Sequence, residues 1–491
     1  MSPLLLALTL IAPEATAGQQ GLIDTLLLKS HTFFLAQDAL EGRSTGTPGE
    51  AVAALYIEAE CRRLGLNPVG RAFRHEVSLA ATRVLSGTGV TVLTARDTVS
   101  LPYPSAITPN VGSVQTLRDF EGQAAYVGDR SMIEQGRLGS LDLSGAVAVT
   151  NGMISPVAFD TLLLRGAVGA IHALETPERY QLYRRSRGEL RLSHADTTVV
   201  SSFLPPLPSV IAGPWAWEPL LAGPGADRPV LTEPRALQAT VRFHLVSSTT
   251  ESVLRNVACL LPGSEPAMRD TAIAFTAHLD HLGIGVPDSR GDSIYNGFSD
   301  NAAGVAMLLA IAEAMKGERS STPRHSVLFL FFSGEERGLL GSDYYVAHPP
   351  WPLQRTKAVI NLDAGAPPAP PTSWRLAVSD SSGLGGLARQ VADARGWSVT
   401  TSQPRANSDY YPFVRSGVPA IFIIPGPDPY EGHSEDSSRQ LRERWDRYHQ
   451  PGDEWSESFP FAGLRRYAEY AYLVARAIDG GSGSAGRGQG R

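Results

Sequence analysis

Five short segments of this chain bring imidazoles and carboxylates to spacings that could hold a metal ion. They are His278-Leu279-Asp280-His281, Asn296-Gly297-Phe298-Ser299-Asp300-Asn301, Ser333-Gly334-Glu335-Glu336, Asp363 after KAVINL, and Tyr448-His449-Gln450-Pro451-Gly452-Asp453. A single His or Glu at such a place usually satisfies a turn. Several carboxylates and a histidine on one rim are different, because clustered like charges repel strongly unless cations neutralise them. Imidazole mixed with carboxylate, without thiolate, suits zinc in an open catalytic site, or cobalt or manganese. The two cysteines, Cys61 and Cys259, cannot build a four-thiolate site. They either pair in an oxidising compartment or stay as two buried thiols.

The elements that must position these segments are legible as apolar runs. AIAFTA (272–277) leads into His278, SVLFLFF (326–332) into Ser333 and KAVINL (357–362) into Asp363, with PAIFII (419–424) further on. Runs apolar at every position read as parallel strands covered on both faces. AAGVAMLLAIAEAM (302–315) reads as the helix between the first two strands. The expected fold is α/β, a doubly wound, mostly parallel sheet, whose ligands gather at the carboxyl ends of its strands. EAVAALYIEAECRRL (50–64) is an earlier helix stopped by Gly65. From about Val77 to Val246 the texture changes to short β-rich runs, among them GAVAVT (145–150), VGAIHAL (168–174) and PSVIAG (208–213), with a helix-like FDTLLLRGA (159–167). This predicts a β-rich α/β insert over 86–239, splitting the main domain into 18–85 and 240–478.

Composition narrows the function classes. The 491 residues carry 43 Lys+Arg against 49 Asp+Glu, a net charge of −6. With no run of basic residues, no nucleic acid partner is expected. Hydrophobic residues at 43% and charged residues at 19% exclude a disordered chain. Leu4 to Ala12 is a short apolar run followed by Pro13 and Ala15-Thr16-Ala17, the pattern of a secretory signal over 1–17, although no Lys or Arg precedes it. The expected location is secreted or periplasmic. No other apolar run reaches about 18 residues, so no membrane span is expected. DGGSGSAGRGQGR (479–491) reads as a disordered tail.

Taken together, the motifs AHLDHLGIG (277–285), NGFSDNAAGVA (296–306), FFSGEERGLLGS (331–342), NLDAGAP (361–367), NSDYYPFVRSGVPAIF (407–422) and YHQPGDE (448–454), with EGRSTGTPG (41–49) upstream, resemble the co-catalytic zinc aminopeptidases. These are kin to glutamate carboxypeptidase and the transferrin receptor. The insert resembles a protease-associated domain. The resemblance implies a secreted metallo-exopeptidase that cleaves N-terminal residues from a peptide substrate with a hydroxide shared by two zinc ions, or cobalt or manganese. It implies Asp300 as the bridging ligand, His278 and Asp363 completing one site, and Glu336 and His449 the other. Glu335 would be the general base. Asp280 would accept the second N–H of His278 and fix its tautomer. His433 in GHSED is the rival to His449, His281 reads as packing or outer support, and Asp409 either supports the site or starts a turn. The resemblance further implies a cis peptide at Asp300-Asn301. HExxH, G-x-S-x-G and P-loop signatures are absent. Other readings share the architecture: a carboxypeptidase with the same metals, a glutaminyl-cyclase-like acyltransferase, and a non-catalytic receptor-like binding protein.

Overall fold

Strands that are apolar at every position need cover on both faces, and that demand organises the molecule. β4 (Ala272–His278) and β5 (Ser326–Phe332) are buried at all seven positions. In β4, Ile273, Phe275 and Ala277 enter one core cluster and Ala272 and Ala274 enter another on the opposite face. The first cluster packs helices α1 (Thr25–Leu35), α2 (Pro48–Arg63), α3 (Ala303–Gly317), α5 (Leu384–Asp393) and α8 (Ala462–Ile478) against the sheet. The second is covered by α4 (Leu340–Ala347) and α6 (Tyr410–Arg415), through Tyr345, Tyr410 and Phe413. The computed structural model describes residues 22–480, except 111–118, 188–189, 203–206, 222–231, 318–321 and 380–382. The expected leader over 1–17 lies outside the described residues, as does 481–491 of the expected tail.

The ten-stranded sheet has the order β8-β7-β9-β6-β4-β5-β3-β1-β2, with Asn67–Pro68 paired separately on β3. The other strands are β1 (Arg74–Val84), β2 (Leu190–His194), β3 (Ser247–Leu261), β6 (Thr356–Asn361), β7 (Ser373–Val378), β8 (Ser398–Ser402) and β9 (Ala420–Pro425). β5, β4, β6 and β9 run parallel at its centre. The expectation of a mostly parallel sheet is corrected at the flanks, where β3 with β5, β1 with β3, β2 with β1, and β7 with β9 pair antiparallel. On the insert's side of the sheet the physical reason is that the insert's two ends are close together, so β1 and β3 form a long antiparallel ladder needing no crossover helix. The sheet is mixed, with helices on both faces.

The insert has its own eight-stranded sheet and core, ending with the strand Arg235–His244. That strand pairs with both Gly89–Thr94 and Phe120–Gly128, so the expected boundary at 239 cuts through it. The insert also lends β2 to the edge of the main sheet. At the other end, Asp479 belongs to the fold rather than to a tail. It is buried and its carboxylate accepts from the backbone N–H groups of Arg324 and His325. Phe298–Gly317 is long and apolar enough by composition to cross a membrane (mean hydropathy 1.2), but 83% of its most apolar window is buried inside the protein.

Cys61 of α2 and Cys259 of β3 form a disulfide across 198 residues of sequence. Cross-linking so distant a pair restricts the unfolded chain strongly, a contribution of about 2–5 kcal/mol. The double variant C61S/C259S is therefore expected to unfold at lower denaturant, with a steeper slope because the unfolded chain is less compact, and to lose unfolding free energy evaluated from midpoint and slope together. A loss under about 1 kcal/mol would refute this.

Candidate metal centre

Each side chain of the centre sits where a strand or helix ends. His278 is the last residue of β4, Glu335 and Glu336 follow β5, and Asp363 follows β6. All lie at carboxyl ends of parallel strands, where open α/β sheets gather ligands. Asp300 stands just before α3, in a loop whose backbone is fixed twice. Gly297 holds φ +61, and a Cβ there would lie 2.3 Å from the Asp300 carbonyl oxygen, so the turn requires glycine. The Asp453 carboxylate then accepts the backbone N–H of Ser299 (2.9 Å) and of Asp300 (3.1 Å). The Asp300–Asn301 peptide is cis.

The donor atoms converge. Asp300 Oδ1 lies 3.0 Å from His278 Nε2, which is 2.8 Å from Asp363 Oδ1. Asp300 Oδ2 lies 3.1 Å from His449 Nε2, which is 3.3 Å from Glu336 Oε2. One carboxylate thus turns one oxygen to each of two His–carboxylate pairs. A second imidazole also reaches this half, since His281 Nδ1 is 2.7 Å from Glu336 Oε1 and 3.9 Å from Asp300 Oδ2. The two histidines differ in what they do. His281 is fully buried and hydrogen-bonds Glu336. His449 Nε2 is buried and makes no aligned hydrogen bond among the described residues, although two carboxylate oxygens lie beside it. An orphaned imidazole nitrogen and three clustered carboxylates are what a pair of divalent cations would satisfy. His433 lies elsewhere, exposed and bonded to Ser437.

The support for these donors departs from expectation in one atom. His278 Nδ1 lies 3.0 Å from the backbone carbonyl of Asp280, and 3.8 Å from the Asp280 carboxylate. The reason is competition: the Asp280 carboxylate accepts from Thr45 Oγ1 (2.6 Å) and from the Glu335 backbone N–H (3.3 Å). Asp280 therefore ties the Glu335 turn to the loop before α2. Burial, with the Asp363, Glu336 and Asp409 carboxylates adding to it, raises the Glu335 carboxyl well above the usual range against the pull of His278. Asp409 is buried, accepts from Ser342 Oγ and is pushed up to about 7 by burial.

Several functional side chains lay inside quoted motifs without a role. Ser408 donates to Asp363 Oδ2 and accepts from Asn361 Nδ2, whose amide oxygen in turn accepts from Thr276. Tyr448 stacks on His449 at 3.8 Å. Burial and the carboxylates of Asp300, Glu336, Glu335 and Asp363 raise its phenol, so it stays a proton donor. Arg43, in EGRSTG, is fully buried and donates to the carbonyls of Leu35, Leu279 (2.9 Å), Asn296 (2.6 Å) and Gly297 (3.0 Å). One planar fork thereby joins the loops that carry His278 and Asp300. Lysine cannot reproduce that fan of donors. Arg43→Lys is expected to cost about 3 kcal/mol or more in chemical denaturation, because buried carbonyls lose their partners. A loss below about 1 kcal/mol would contradict this role.

The segment carrying these donors matches one family model, described as peptidase family M28, over residues 256–474. A probable leucine aminopeptidase 2 of Aspergillus oryzae is 26% identical over 238 residues, covering 45% of this chain and 44% of that protein. Aminopeptidase YwaD of Bacillus subtilis is 28% identical over 193 residues, covering 36% of this chain and 38% of that protein. The chain thus aligns with less than half the length of either relative. Among solved structures, an aminopeptidase from Aneurinibacillus sp. strain AM-1 superposes with a TM-score of 0.55 at 19% identity, over 93% of both chains. That likeness concerns the fold, insert included. The M28 match begins at Asn256, inside β3, and takes in every proposed donor.

Proposed function

We propose that this chain is a zinc-dependent aminopeptidase that removes N-terminal residues from peptides. The observation that carries the reading is the divided carboxylate of Asp300, one oxygen facing His278 and Asp363, the other His449 and Glu336. The M28 match over 256–474 and the names of the aminopeptidases aligned with it support it.

In this reading Asp300, with His278 and Asp363 beside one of its oxygens and Glu336 and His449 beside the other, would hold two zinc ions. When bound, the ions would supply Lewis acidity toward the scissile carbonyl and would lower the pKa of the attacking water. Glu335 takes the proton from the attacking water and returns it to the leaving amine, a task suited to a carboxyl with a raised pKa. His281 orients Glu336, and Ser408 holds Asp363 from behind. Tyr448, protonated beside His449, donates to the oxygen on which negative charge develops.

The Cys61–Cys259 disulfide supports export to an oxidising compartment, in keeping with a signal segment over 1–17. The insert, in the same reading, is a protease-associated domain. The decisive experiment is metal analysis combined with hydrolysis of amino-acid anilides before and after chelation. Expected are two zinc equivalents per chain and activity that chelator removes and zinc restores. Pure protein without bound metal and without chelator-sensitive hydrolysis would refute the reading.

A further inference from the structure

Beside the donor set opens a cavity of about 620 Å³, within the size range of small-molecule sites. Asp300 and Asp363 line it at the metal centre, and Phe422 of β9 and Trp445 of α7 (Glu435–Trp445) give it apolar walls. Two guanidiniums, Arg375 and Arg442, also line it. Arg375 stands on β7 opposite Ile424 of β9, is exposed, and forms no side-chain hydrogen bond or ion pair among the described residues. Arg442, on α7, lies 4.5 Å over the Tyr430 ring and donates Nη2 to the Asp428 carbonyl at 2.6 Å. It too has no carboxylate partner among the described residues. Apart from the donors themselves, the acid on the cavity wall is Asp446, which accepts the backbone N–H of Tyr448.

Two permanently charged forks against one aspartate leave a surplus of positive charge on a partly apolar wall. Guanidinium groups match carboxylates in shape and bind them bidentately. Tyr430 and the Asp428 carbonyl already hold Arg442 in place, which lowers the entropy lost on binding. We propose that Arg375 and Arg442 form a carboxylate-binding subsite, which selects substrates whose terminal residue has an acidic side chain. The proposal rests on the exopeptidase reading above. A carboxylate could come from that side chain or from the C-terminus of a short peptide, and the two are separable.

The test compares the zinc-loaded protein with R375Q/R442Q on glutamyl and glutaminyl anilides, which differ only in the charge of one group. Expected is a kcat/KM ratio of about tenfold or more in favour of the glutamyl compound, falling to about one in the double variant. A second arm compares a dipeptide with its C-terminal amide. A preference for the free acid that vanishes in R375Q/R442Q assigns the subsite to the main-chain carboxylate instead of the side chain. A third arm, independent of turnover, titrates L-glutamate, L-glutamine and L-glutaminamide calorimetrically. Tighter binding of a carboxylate-bearing member, lost in the double variant, supports the subsite; equal affinities overturn it. If zinc-loaded protein cleaves no anilide or peptide, the exopeptidase reading fails while calorimetry still decides the subsite.

Discussion

Glu335→Gln is expected to lower kcat by about 10²- to 10⁴-fold while the protein keeps its zinc. The argument is one of position. Glu335 adjoins the donor Glu336, yet its own backbone N–H donates to Asp280, fixing the turn that separates the two side chains. Glutamine has the same shape and one oxygen acceptor but cannot carry a proton from water to amine. Metal content, unfolding midpoint and KM should therefore stay near those of the parent, with the loss confined to kcat. Loss of zinc from the variant would make Glu335 a ligand. An unchanged kcat would refute its role as base.

Asp300→Asn carries the second large effect. The two oxygens of Asp300 face different His–carboxylate pairs, 3.0 Å from His278 and 3.1 Å from His449. A carboxamide offers one oxygen and one NH2, so one half of the centre loses its donor and gains a group that repels cations. Expected are about one zinc equivalent in place of two and a fall in kcat/KM by on the order of 10³-fold or more, equivalent to several kcal/mol. Full retention of two zinc equivalents would refute the shared ligand.

The disulfide and Arg43 belong to a different class of effect. Both act on stability, one by restraining the unfolded chain between α2 and β3, the other by satisfying carbonyls that burial would orphan. Neither effect is apparent from residue type alone. An arginine in EGRSTG reads equally well as a surface charge, and two cysteines 198 positions apart can lie anywhere.

Much of the architecture was nonetheless legible. AIAFTA, SVLFLFF and KAVINL are apolar at nearly every position, and only a strand covered on both faces tolerates that, so their burial and parallel pairing followed from pattern. The donor types were legible too, because His278, Glu336 and Asp363 each stand at or just beyond the end of such a strand. The insert was visible as a change of texture. Its far edge was not, since a strand pairing inside the insert and one returning to the main sheet have the same alternation. Arg235–His244 pairs within the insert, whereas β2 pairs with β1 of the main sheet.

By itself, then, the sequence determined which elements form, which faces they bury and which residues could donate to a cation, because those follow from local periodicity and side-chain chemistry. Only the tertiary structure decided how the donors divide. It set Asp300 between two pairs, placed His281 behind Glu336 and His449 beside it, and gave the Asp280 carboxylate to Thr45 and the Glu335 backbone instead of His278. It also brought Arg375 and Arg442, 67 positions apart, onto one cavity. Such choices depend on distances between atoms remote in sequence, set by strand order and helix packing across the whole domain.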